Sequence, residues 1–311
     1  MASWLRHTAI KFPSHDALPS HDTSPLLDTT KTTMALPTPP ASTTLSSTPF
    51  SPSATLKSRL RDGETLYGLF LCSFSPVIAE IVGHAGYDFI VVDMEHGYGG
   101  LSEALSCLHA LAASQTPAII RLPECSPMWV KKALDLGPQG LMFPMIHTPE
   151  LARQAVSYCR YPRTGVRGVA HPIVRASKYG LDDGYLDRCE DELLIMCQVE
   201  SEEAVEKIDE IVAVDGLDCI MIGPNDLGAN MGFISDPEHK DVGQMVRVVE
   251  SHVLDRRAES DRRPYLAGFA MPNDGPSELK KRGYDMVCGA VDIALFRDAV
   301  VEDVNKFKKI A

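Results

Sequence analysis

The sequence predicts an α/β fold, a (β/α)8 barrel, from its size, its rhythm and the character of its apolar runs. From residue 65 onward, eight short apolar runs alternate with amphipathic helical patterns over roughly 250 residues, as such a barrel requires. The runs are continuous, the pattern of parallel strands buried on both faces. No G-x-G-x-x-G follows an early run, so the phosphate-binding turn of a doubly wound dinucleotide-binding sheet is missing.

The expected strands are residues 67–71, 88–92, 118–120, 140–143, 193–199, 218–222, 265–270 and 285–288. Helical patterns over 76–84, 101–113, 128–136 and 149–159 separate the first five. Between the fifth and sixth, Ala204, Val205, Ile208, Ile211 and Val212 recur at helical spacing, with Glu202, Glu203, Glu206, Lys207, Asp209 and Glu210 on the other face. Helical patterns over 242–257 and 275–282 precede the last two strands. Right-handed crossovers then place all strand C-termini at one end.

This barrel domain is expected over residues 59–311. Residues 1–58 are rich in Ser, Thr and Pro and lack sustained periodicity, so they bury too little apolar surface to offset the entropy of ordering. We expect a disordered leader there. Its composition is compatible with an organellar transit peptide, although Asp16, Asp22 and Asp28 run against that reading, and Met34 offers a second start. The expected location is cytoplasmic, with a plastid or mitochondrion as the alternative.

A net charge of −12 excludes a phosphate-backbone-binding surface, so no nucleic acid partner is expected. Glu80 and Asp88 interrupt the longest apolar candidate, and no membrane span is expected. The eight cysteines contain no Cys-x-x-Cys pair and favour a reducing compartment without a zinc site. No Gly-x-Ser-x-Gly elbow is present either.

Chemistry in such a barrel sits at the strand C-termini. Strand two ends in Asp93-Met94-Glu95-His96, strand three in Arg121, strand five in Gln198-Val199-Glu200 and strand six runs into Asn225-Asp226; strand four ends in the uncharged Pro144-Met145. Each has a plainer reading: Glu200 as a helix cap beside Ser201, Asp226 as a turn residue after Gly223-Pro224, His96 as a structural histidine. Arg121 closes an otherwise apolar strand and needs an anion, either a carboxylate or a substrate. Paired at adjacent strand ends, Glu200 and Asp226 suit a hard divalent ion, Mg²⁺ or Mn²⁺, with positions left for a chelating 2-oxo acid. Arg121 would add positive charge to the enolate and His96 would move the proton.

At these residues the sequence resembles the HpcH/HpaI aldolase/citrate lyase family, metal-dependent class II pyruvate aldolases of the 4-hydroxy-2-oxoheptanedioate and 2-keto-3-deoxy-L-rhamnonate type. The stretches that carry the resemblance are Asp93-Met94-Glu95-His96, Ile120-Arg121-Leu122-Pro123, Ala133-Leu134-Asp135-Leu136-Gly137, Arg160-Tyr161-Pro162, Gly165-Val166-Arg167-Gly168, Gln198-Val199-Glu200-Ser201 and Gly223-Pro224-Asn225-Asp226-Leu227. Phe269-Ala270-Met271-Pro272 looks closer to plant-type members. The resemblance implies a phosphoenolpyruvate/pyruvate-superfamily barrel whose last helix is often exchanged between subunits. It implies Glu200 and Asp226 as metal ligands, His96 as base, Arg121 as stabiliser of the enolate, and Gln198 with the Asn225-Asp226 backbone as holders of the substrate carboxylate. Asp93 belongs to the same catalytic cluster. Asp135 would reach in from a neighbouring subunit to raise the basicity of His96, which implies a homo-oligomer, commonly a hexamer built as a trimer of dimers. Ala170-His171-Pro172 departs from the family's glycine-rich wording, at a place expected near the entrance for the aldehyde.

The expected function is a lyase that reversibly cleaves a 4-hydroxy-2-oxo acid to pyruvate and an aldehyde through a metal-stabilised enolate. Oxaloacetate decarboxylation, or another 2-oxo-acid carbon–carbon cleavage, is the alternative chemistry. A non-catalytic metabolite-binding barrel is the alternative of another class.

Overall fold

The computed structural model describes residues 54–259 and 264–310. Eight parallel strands close a barrel in sequence order: β1 (Leu66–Leu71), β2 (Phe89–Asp93), β3 (Ala118–Arg121), β4 (Gly140–Phe143), β5 (Leu194–Val199), β6 (Cys219–Ile222), β7 (Tyr265–Phe269) and β8 (Met286–Val291). Every expected strand forms, most within a residue of its expected ends. β8 is the exception and runs three residues further, through a bulge at Gly289 after which pairing with β1 resumes at Ala290 and Val291. No helix among the described residues is long and apolar enough to cross a membrane.

The helices are α1 (Leu56–Arg61), α2 (Pro76–His84), α3 (Leu101–Ala113), α4 (Pro127–Leu136), α5 (Pro149–Cys159), α6 (Tyr185–Glu192), α7 (Glu202–Glu206), α8 (Ile208–Val212), α9 (Pro224–Asn230), α10 (Lys240–Glu259), α11 (Pro276–Lys281) and α12 (Asp292–Ile310), with a 3-10 segment at Arg175–Gly180. The single helix expected over 204–212 is two short helices that meet at Lys207.

Residues on both faces of the strands are buried, which is why the runs carry no polar alternation. Leu69, Ile90, Ile120, Leu141, Ile195 and Ile220 pack outward against the helices. Leu66, Phe89, Ile119, Met142, Met196 and Cys219 fill the interior.

The expected leader and its transit-peptide and start readings lie outside the described residues as far as residue 53. At its other end the boundary moves. Residues 56–58, assigned to the leader, begin α1, with the Thr55 hydroxyl accepting from the Ser58 N–H at 3.1 Å as its N-cap. Leu56 and Leu60 enter the interior cluster and close the N-terminal end of the barrel. Lys57 anchors the helix to Asp218 at 2.7 Å. Six residues give too short a period to read, and their stability comes from this burial.

Candidate active site

The two-residue period of the strands carries polar side chains into the barrel mouth once the apolar run ends. Phe89 and Val91 face the interior on β2, so Asp93 does too; Ile119 is followed inward by Arg121, and Leu194 and Met196 by Gln198 and Glu200. Asp93, His96, Arg121, Gln198, Glu200, Asn225 and Asp226 all line one cavity of about 390 Å³ at the C-terminal rim.

Arg121 finds its anion in the protein. Its Nε and Nη2 donate to the two Asp93 carboxylate oxygens at 2.8 and 2.6 Å, and Nη1 faces Glu95 at 2.9 Å, leaving donors on both terminal nitrogens. The guanidinium also lies 4.7 Å from the Phe70 ring centroid. Burial opposes the charge on Asp93, but Arg121, the Cys72 thiol at 3.2 Å and the Glu95 N–H hold its carboxyl below the usual range. Burial raises Glu95 in spite of Arg121.

Glu200 is 2% exposed and does not cap a helix; Ser201 does that, its hydroxyl accepting from the Ala204 N–H. The Glu200 carboxylate instead accepts from the Met145 N–H at 3.1 Å and from the Gln198 amide at 2.6 Å, both neutral donors. Burial, then the charges of Asp226 and Glu95, push it up to about 8 against the Met145 N–H and Arg121. Gln198 Oε1 is buried without a partner. A Cβ at Gly223 would fall 2.2 Å from Glu200 Oε1, so only glycine leaves the carboxylate its place. The uncharged end of strand four, discounted on sequence, supplies the Met145 N–H from a left-handed backbone, φ 53°.

His96 is held by its loop more than by its ring. Asp93 Oδ1 accepts from the Glu95 and His96 N–H groups at 3.1 and 3.4 Å. Phe74, itself at φ 54°, packs so tightly on the loop that a Cβ at Gly97 or Gly99 would lie 2.4 or 2.2 Å from its ring. The Phe74 segment is tied in turn to the start of α12, where Asp292 accepts from the Cys72 and Ser73 N–H groups at 2.9 and 3.1 Å. The imidazole itself is 61% exposed, with Glu95 at 3.9 Å.

Asp135 is not brought to the cavity. It lies one residue before the end of α4, whose C-terminus is at the opposite face of the barrel. Burial raises its carboxyl, against Arg167, Lys132 and Lys131. The segment bearing Ala170-His171-Pro172 lies at that face as well: Arg175 donates to the Leu136 carbonyl at 2.5 Å and Ala176 packs on Gly137. Within one chain, then, neither reaches the aldehyde entrance.

Among the described residues no three His, Cys, Asp or Glu side chains gather as a metal cluster. A cation here would rest on the Glu200 and Asp226 carboxylates, with neutral oxygens completing its shell.

A family model described as HpcH/HpaI aldolase/citrate lyase matches residues 66–299. The chain belongs to the HpcH/HpaI aldolase/citrate lyase family. It is 36% identical over 253 residues to the 2-keto-3-deoxy-L-rhamnonate aldolase of Escherichia coli strain K12, covering 81% of this chain and 92% of that protein. It is 35% identical over 252 residues to the hydroxypyruvate/pyruvate aldolase of Chromohalobacter salexigens, covering 79% and 95%. The crystal structure of an HpcH/HpaI family protein from Burkholderia cenocepacia J2315 superposes with a TM-score of 0.75 at 35% identity, covering 81% of this chain and 98% of that one. The HpcH/HpaI family match spans all eight barrel strands and every residue of the cavity described above.

Proposed function

We propose that this protein is a class II carbon–carbon lyase that reversibly cleaves a 4-hydroxy-2-oxo acid to pyruvate and an aldehyde. The observation that carries this reading is Glu200, a buried carboxylate with only neutral hydrogen-bond donors, beside Asp226 and an unpartnered amide oxygen. Such a group is costly to ionise unless a cation binds it. The donors are all oxygen, which fits Mg²⁺ or Mn²⁺. Held by Glu200 and Asp226, the ion would supply positive charge to the carboxylate and ketone oxygens of a 2-oxo acid and acidify the adjacent carbon.

The chain's own groups supply the remaining parts. His96 takes the proton from the C4 hydroxyl as the C3–C4 bond breaks, the electron pair passes to the ketone oxygen, and return of a proton to C3 of the enolate gives pyruvate. The free donors of Arg121 face that developing charge, and Asp93 fixes their direction through its two-point pair. Gln198 and the Asn225-Asp226 backbone orient the carboxylate. In condensation the same steps run backwards.

The exposed imidazole and the distant Asp135 support an oligomeric site, in which Asp135 and the 165–182 segment come from a second copy. Phe296, Val300 and Phe307 on α12 are 67, 41 and 77% exposed, an apolar face suited to burial between subunits. We take the assembly to be a hexamer built of dimers. Mixing His96→Ala with Asp135→Ala protein should restore activity that neither has alone; a mixture as inactive as its components refutes the shared site.

The direct test is exchange of the pyruvate methyl protons for deuterium, followed by NMR with Mg²⁺ or Mn²⁺ and with EDTA. Exchange that needs the metal and is lost in Glu200→Ala and Asp226→Ala supports the enolate. Exchange surviving EDTA rules it out, and none under any condition favours a silent barrel. Release of CO2 from oxaloacetate faster than any aldol cleavage would favour decarboxylation.

A further inference from the structure

β1 leaves its ladder just before the segment that supports the His96 loop. Its last pairs are Leu71 with Val92 of β2 and Phe70 with Val291 of β8. Beyond them, the N–H groups of Cys72 and Ser73 turn to a side chain 220 residues further along the chain. Asp292, the first residue of α12 and 6% exposed, accepts from Cys72 at 2.9 Å on Oδ1 and from Ser73 at 3.1 Å on Oδ2.

The gripped segment touches the catalytic cluster at three points. The Cys72 thiol donates to Asp93 Oδ2 at 3.2 Å, and the Cys72 carbonyl accepts from the Tyr98 N–H at 3.4 Å. Phe74 sets its ring against Gly97 and Gly99, from a backbone at φ 54° that a bulky residue keeps only when its surroundings hold it there. His96 lies between these contacts. Its imidazole is 61% exposed, so the backbone of the loop, rather than packing of the ring, sets where it reaches.

Resting on the aldolase reading, we infer that Asp292 is a positioning residue for proton transfer: it fixes residues 72 and 73, these fix Phe74, and Phe74 fixes the loop that carries His96. A carboxylate suits this task because its two oxygens take two successive N–H groups at once. An amide offers one oxygen and would turn its NH2 toward the other N–H. The plainer role, capping α12, needs Oδ1 alone, which also accepts from the Ile293 N–H at 2.8 Å. Oδ2 serves the catalytic segment. Glu200 on β5 and Asp226 after β6 are not joined to this segment, so metal binding should not depend on it.

The experiment compares wild type, Asp292→Asn, His96→Ala and the double variant, with Mg²⁺. The substrate is the 4-hydroxy-2-oxo acid made from pyruvate and acetaldehyde, glycolaldehyde or succinic semialdehyde, whichever the wild type cleaves fastest. Asp292→Asn should lower kcat about 10-fold and leave KM and the Mg²⁺ Kd within about 2-fold. In the His96→Ala background the same change should move kcat by less than about 2-fold, because the group it positions is gone. Amide hydrogen exchange, which needs no turnover, should be about 10-fold faster over residues 96–100 in Asp292→Asn and unchanged in β5. Asp292→Ser, whose hydroxyl still accepts from one N–H and still caps α12, runs beside it. Unmoved exchange over 96–100, or an equal loss of kcat with and without His96, overturns the inference and leaves the aldolase reading standing. Failure of both variants to fold makes the carboxylate a structural clamp only and overturns it too. A wild type that neither cleaves any of these acids nor exchanges the pyruvate methyl protons removes the aldolase reading, and the inference with it.

Discussion

Replacing Glu200 with Gln should stabilise the metal-free protein at alkaline pH while abolishing its response to metal. Burial, with Asp226 and Glu95, moves this carboxyl from an ordinary 4.5 to about 8. The folded state therefore holds the proton more tightly than the unfolded state. Its stabilising effect is complete below about 4.5, fades as pH rises, and is gone above about 8. At ~1.4 kcal/mol per pH unit the full displacement corresponds to about 5 kcal/mol. Water at the open side of the cavity screens part of this, so we expect a difference of about 2 kcal/mol at pH 8.5, or roughly 4–8 °C in Tm for a domain of this size. Glutamine keeps one unpaired group, as the wild type does, because turning the Gln198 amide over exchanges its unpartnered oxygen for its NH2. The new side chain's oxygen can take the Met145 N–H, and its NH2 can donate to Gln198 Oε1 after that amide turns over, satisfying an acceptor that now has no partner. The assay is thermal unfolding of wild type and Glu200→Gln in EDTA from pH 5 to 8.5, repeated with Mg²⁺. The variant's advantage should be near zero at pH 5 and widen with pH. Saturating Mg²⁺, at about 100 times Kd, should return about 2.7 kcal/mol to the wild type and nothing to the variant. A variant equal to or less stable than wild type in EDTA at pH 8.5 would refute the reasoning.

Asp93→Asn takes away the two-point partner of the Arg121 guanidinium, leaves Glu95 as its neighbouring anion, and should cost about 1.5–3 kcal/mol, read from urea unfolding at pH 7. Because pairing holds Asp93 below its ordinary pKa, that difference should persist at neutral pH and shrink only as pH falls through the acid carboxylate range; an unchanged urea midpoint argues against the pair. Gly223→Ala forces a methyl into Glu200 and should lower Mg²⁺ affinity about 10-fold by calorimetry, since overpacking of this kind costs ~1–3 kcal/mol. Phe74→Ala loosens the His96 loop and should reduce kcat about 10-fold, with pyruvate binding unchanged, as expected when a proton-transfer group loses its alignment. A change confined to KM would show that Phe74 does not position His96.

The sequence by itself determined the eight strands, because burial on both faces writes them as uninterrupted apolar runs. It also determined which residues enter the barrel mouth. Asp93, Arg121, Gln198 and Glu200 continue a two-residue period whose earlier members are already inside, so their direction follows from local geometry. Only the tertiary structure decided how they are partnered. Arg121 takes a carboxylate 28 residues away, and Asp292 holds a loop 220 residues earlier in the chain. The left-handed backbones at Phe74 and Met145 leave no mark on residue type. The bulge at Gly289 reverses the parity that the apolar run predicts and presents Val291 in place of Ala290. Asp135 shows the same limit from the other side. Its helix was legible, yet its separation from His96 follows from the direction of α4 on the closed barrel, which only the packed chain specifies.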